Sequence, residues 1–200
     1  MARSALLRLA VPLLSFALAT PVFAQSSLSD WGFDPGALMG DGRELLLRAP
    51  DASVDGLFQA VHASARSPQD SRVLCELFDP SAERSLEGYN GLAAQLSEDS
   101  RIRFADAATE FFLAAAQSPR QPYDAAFAQQ ALKAAGVRAA LLNDGFVAGL
   151  NGTDHTARCR SVGWLLDSLQ SRPAAERASV MRLLLSQGLD YLALARALPR

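Results

Sequence analysis

From Asp51 onward the apolar residues recur at three and four positions, and the breaks between these runs carry helix-start signals rather than strand turns. A chain so patterned can only bury its apolar stripes by packing helix on helix. Ser67-Pro68 followed by Asp70 supplies a cap, a proline at the first helical position and an acid in the first turn, where free amide groups want acceptors and negative charge. Asp79-Pro80, Pro122 before Asp124, and Arg172-Pro173 before Glu176 repeat the device. The pattern predicts helices over 53–66, 68–78, 80–97, 100–117, 122–149, 154–170 and 173–198, with Gly136 and Asn143 as candidate breaks in the fifth. An eighth, short helix is expected at Arg43 to Arg48.

The stripes also name a core. Phe104, Ala108, Phe111, Phe112 and Ala115 share one face of the fourth helix, and Met181, Leu184, Leu185, Gly188, Leu192 and Ala195 mark the last. The spacing of Gly145 and Gly149 fits closely approaching helix axes; it fits equally a Gly145 that follows a helix end at Asn143-Asp144. The prolines at 50, 68, 80, 119, 122 and 173 keep no fixed interval and no segment recurs, so a solenoid is set aside. The expected fold is all-α, a single irregular bundle of about seven helices.

The first 24 residues read as a cleaved secretory signal peptide, with Arg3 and Arg8 ahead of an apolar run from Leu9 to Ala19 and Val22-Phe23-Ala24 at the cleavage site. That run is shorter than the ~20 apolar residues a membrane helix needs, and no later stretch approaches this length, so no transmembrane anchor is expected in the mature chain. Gln25 offers no thiol for a lipid anchor. All but Lys133 of the 19 basic residues are arginine, which together with heavy use of alanine points to a GC-rich bacterial genome. The expected location is periplasmic or secreted. In that oxidising setting the only two cysteines, Cys75 and Cys159, are expected to form a disulfide. Closing a loop of 84 positions stabilises by about 4.5 kcal/mol in the chain-entropy model.

Three segments follow from this reading: the signal at 1–24, an N-terminal arm at 25–42 rich in Ser, Gly, Asp and Pro, and one helical domain at 43–200. The arm is expected to be flexible and without helical period. It carries Trp31 and Phe33, which either cap the helical body or dock on a partner.

The formal net charge is −2, and loss of Arg3 and Arg8 makes the mature chain more acidic, with arginines scattered among carboxylates. Nucleic acid is excluded on that ground, since phosphate neutralisation needs a basic stripe. No metal or other cofactor is expected. His155 and Cys159 are four apart on one helical face, but His62 is the only other histidine and a disulfide removes the thiolates. The two histidines also leave a serine triad short of bases. Glu83 with Glu87, and Asp106 with Glu110, are spaced to share helical faces, as a glycan-cleaving site would require.

Gly88-Tyr89-Asn90-Gly91 resembles, over four residues, the Ala-Tyr-Asn-x-Gly stretch of helical lytic transglycosylases. That resemblance implies a catalytic glutamate followed by serine well upstream. No Glu-Ser pair occurs here, and the distant upstream glutamate of the mature chain is Glu44.

Three functions remain. The first is binding of another envelope or secreted protein, as an adaptor, inhibitor, immunity or assembly factor, with Trp31 and Phe33 in contact. The second is a cell-wall glycan-cleaving enzyme with one helix carboxylate buried in a cleft at a raised pKa. The third is a carrier of a small apolar ligand in a cavity lined by Phe104, Phe111 or Phe112. No residue is assigned a catalytic role.

Overall fold

The computed structural model describes residues 35–76 and 85–197. The signal sequence, Trp31, Phe33, Asp79-Pro80 and Glu83 lie outside the described residues, as does the side chain of Glu87. Among the described residues there are nine helices and no strand: α1 (Pro35–Arg48), α2 (Asp51–Ala65), α3 (Asp70–Glu76), α4 (Leu86–Gln95), α5 (Glu98–Gln117), α6 (Ala125–Leu142), α7 (Phe146–Asn151), α8 (His155–Gln170) and α9 (Ala174–Ala197). No helix among them is long and apolar enough to cross a membrane.

Cap chemistry sets most boundaries. Asp124 accepts from the amides of Ala126 and Phe127, so α6 starts after it rather than at Pro122. Asp154 does the same for α8 through Thr156 and Ala157. The expected helix over 122–149 breaks at Asn143, where Asn143 Nδ2 donates back to Ala139 O and Gly145 takes φ +83°, a left-handed conformation that favours glycine. Gly145 is thus the turn, and Gly149 is the close contact: a Cβ there would meet Ala157 O at 2.7 Å, which lets α7 lie directly on α8.

Two expectations are corrected. Helix α1 begins at Pro35, inside the stretch expected to lack helical period. Asp70, expected to face the amides of its own helix, turns away from them. Its carboxylate accepts from Ser97 N, Ser97 Oγ and Ser100 Oγ, each at 2.7 Å, and so ties the start of α3 to the start of α5. Burial pushes the Asp70 carboxyl up, yet the bonds from Ser97, Ser100 and Ser67 outweigh it and hold the group at about 2.

Helices α2 and α9 form the central pair; α1 and α5 pack on one side, α6 and α8 on the other. One core cluster joins Leu46, Ala49, Val54, Phe111, Ala115 and Ala178, and a second joins Phe58, Ala131, Ala135, Leu169 and Val180. Alanine dominates the buried face of α6, so this helix approaches its neighbours closely. On α9 the inward face is Ala178, Met181, Arg182, Leu185 and Leu189, while Leu184 and Gly188, expected inside, are exposed.

Arginine side chains close several helix ends. The last carbonyls of a helix have no partner within it, and Pro50 has no N–H to offer Leu46. Arg182, only 2 % exposed, supplies the missing donors: Nη1 bonds Leu46 O at 2.8 Å, and Nη2 bonds Ala49 O at 2.6 Å and Asp51 Oδ1 at 2.8 Å. Arg48 donates to Ala116 O and Ser118 O at the end of α5. Arg158 donates to Gly152 O after α7. Arg177 bonds Arg172 O and grips Asp55 with two bonds of 2.7 Å, fastening α9 to α2. The fork of the guanidinium reaches two acceptors at once, which a lysine ammonium does less well.

Candidate functional site: an apolar cavity on the disulfide side

Cys75 on α3 and Cys159 on α8 are joined in a disulfide with Cα atoms 5.4 Å apart, as the sequence led us to expect. The bond forms part of the wall of a half-open cavity of about 850 Å³. Helices α3, α4 and α8 and the first turns of α5 surround it, and α2 and α9 contribute Phe58, Val180 and Met181 from the second core cluster. Leu74, Leu92, Phe104, Val162, Leu166 and Leu184 line it further. Arg101 is the one charged side chain among the described lining residues, with Ser71 and Tyr89 adding hydroxyls. Val73 and Leu74, adjacent on α3, are half-buried and line the opening.

Of the three phenylalanines expected to line a ligand cavity, Phe104 does so. Phe111 and Phe112 instead pack edge to face, at 5.4 Å between centroids, in the core with α1 and α9. Gly163 also lines the cavity, and a Cβ built on it meets no atom within 4 Å.

Of the carboxylates expected to share helical faces, Glu83 and the side chain of Glu87 lie outside the described residues, and the other pair is not buried. Asp106 and Glu110 are exposed on α5 and border a shallow open depression with Thr109 and Leu113. Glu44 is paired with Arg120, whose hydrogen bond holds it below the usual carboxylate range, the reverse of what a general acid needs.

His62 Nε2 lies 2.9 Å from Asp167, which also accepts from Arg66, so its partner is a carboxylate on α8 and not a serine. His155 sits by the disulfide, its ring and the two sulfurs all within 4.8 Å of one another, and Nε2 is 3.5 Å from Glu76. With both sulfurs bonded to each other there is no thiolate to ligate a metal.

Sequence reading named Cys75, Cys159 and Phe104 but missed Arg101, Leu74, Leu166 and Gly163. The usable signal was the adjacent apolar pair Val73-Leu74. No protein-family model, curated protein or solved structure matches this chain.

Proposed function

We propose that the protein is a carrier that holds a small apolar molecule in the cavity between α3, α4, α5 and α8. The observation behind this reading is a cavity of about 850 Å³ whose described lining is apolar apart from Arg101, Ser71 and Tyr89. That volume lies within the ~300–1,000 Å³ of small-molecule sites, which are mostly apolar with few polar groups. The signal-like first 24 residues and the disulfide support a periplasmic or secreted location for this work. Protein purified without detergent and extracted with organic solvent should release an apolar compound in near-stoichiometric amount by mass spectrometry. An extract free of any such compound, from protein that also fails to take up an apolar dye, sinks the carrier reading.

A second reading, docking of another envelope or secreted protein, is favoured by a different surface. Val137, Leu141 and Leu142 near the end of α6 and Val147 on α7 are all more than half exposed, Leu141 at 81 %. Large exposed aliphatic groups gathered near one helix break are a feature of interaction surfaces. Leu141→Glu with Val147→Glu should abolish crosslinking to a single envelope protein; unchanged crosslinking removes this surface from the account.

A further inference from the structure

Resting on the carrier reading, we infer that the ligand is a single-chain amphiphile with a carboxylate head, a long-chain fatty acid, whose head pairs with Arg101 while its tail lies along Leu74, Phe104, Leu166 and Val180. Three observations carry this. The described lining bears one charge, and it is positive. Arg101 sits on the first turns of α5, is exposed, and forms no ion pair or side-chain hydrogen bond among the described residues, whereas Arg103 two residues on is engaged with Ser64 and Ser100. The cavity is half-open, so a tail can be covered while a head stays at the boundary with water.

A guanidinium fork matches the two oxygens of a carboxylate. A neutral apolar ligand would leave that fork unused, and a cationic amphiphile would be repelled by it. The long stem of Arg101 allows the charged group to remain in water while its methylenes lie against the tail. Affinity then has two separable parts. Each methylene buried strengthens binding about fourfold, and the partly solvated ion pair contributes a factor of about five.

The test is displacement of the neutral dye N-phenyl-1-naphthylamine from the full mature protein by hexadecanoate, 1-hexadecanol and hexadecylamine, repeated with Arg101→Gln. Arg101 is exposed and its side chain makes no bond among the described residues, so the variant should melt as the wild type does. Hexadecanoate should displace the dye about fivefold more effectively than the alcohol in the wild type, with the amine weakest, and the difference should vanish in the variant. Equal displacement by acid and alcohol, or a preference for the acid that survives in Arg101→Gln, overturns the head-group assignment and leaves the carrier reading standing. Failure of the dye itself to bind takes down both.

Discussion

Replacing Arg182 with methionine keeps an unbranched apolar stem and removes the guanidinium with the three bonds it donates. Leu46 O and Ala49 O belong to residues that are 4 % and 0 % exposed. Neither has a backbone donor in reach: the amide four residues beyond Leu46 is that of Pro50, and Ser53 N bonds Pro50 O instead of Ala49 O. Each carbonyl stranded in this way costs roughly 1–3 kcal/mol. Asp51 is half exposed and turns to water, so its loss adds little. Relief from burying a cation offsets a part of the total. The expected loss is therefore about 3–4 kcal/mol, or a fall of roughly 6–16 °C in the melting midpoint for a domain of this size. Urea denaturation followed by far-ultraviolet circular dichroism, under oxidising conditions, measures it. Arg182→Lys should recover less than half, because one ammonium cannot span the acceptors that the fork reaches. A methionine variant within about 1 kcal/mol of wild type would show that these helix ends find other partners, and the assignment of Arg182 as their cap would fall.

Other perturbations test separate parts of the fold. Cys75→Ser should lower stability by about 4.5 kcal/mol while helical content stays nearly unchanged, checked by thermal melting with and without reductant; equal midpoints would contradict the disulfide. The Asp70 carboxyl is held at about 2 against an ordinary 3.8. Because the folded value is the lower one, its contribution of about 2 kcal/mol is fully present above pH ~4 and is lost as the pH falls toward ~2. Asp70→Asn should thus narrow the gap to wild type across that window, and a constant gap in melting midpoint would refute the assignment. Alanine at two glycines should act with opposite sign. Gly149→Ala drives a methyl against Ala157 O and should cost about 1–3 kcal/mol. Gly163→Ala meets nothing and should add ~0.5–1 kcal/mol of helix propensity, both read by urea melts.

The helices were legible because their starts carry local chemistry. Asp124 and Asp154 cap the helices that follow them, and Ser67 accepts from Asp70 N as its position ahead of Pro68 suggested. The start of α1 was not, because Pro35-Gly36 and the glycines at 40 and 42 weaken any local helical signal. What holds this helix is its packing on α5 and α9. The inward face of α9 was misread for one residue's sake. A periodic reading places Arg182 outward, which swings the apolar stripe toward Leu184 and Gly188; with Arg182 buried as a cap, Ala178 and Leu189 join Met181 and Leu185, which the sequence named, on the inward face. The surplus of arginine over lysine, read from sequence as genome composition, also has structural use in Arg48, Arg158, Arg177 and Arg182. Nothing local announces such roles, because each of these arginines reaches backbone carbonyls at the end of another element, and Arg177 and Arg182 add carboxylates more than 100 positions away. The cavity was half legible: its disulfide and Phe104 could be named, but which side of α5 faces a gap depends on how α3 and α4 stand beside α8.

The most direct test of the carrier account is equilibrium binding of N-phenyl-1-naphthylamine to wild type and to Gly163→Phe. The phenyl ring would enter the cavity where a Cβ meets no atom within 4 Å, and replacing a mid-helix glycine favours the helix. The account predicts one saturable site in the wild type and its loss in a variant that melts no lower. Binding unchanged in Gly163→Phe, or absent from the wild type, would contradict it.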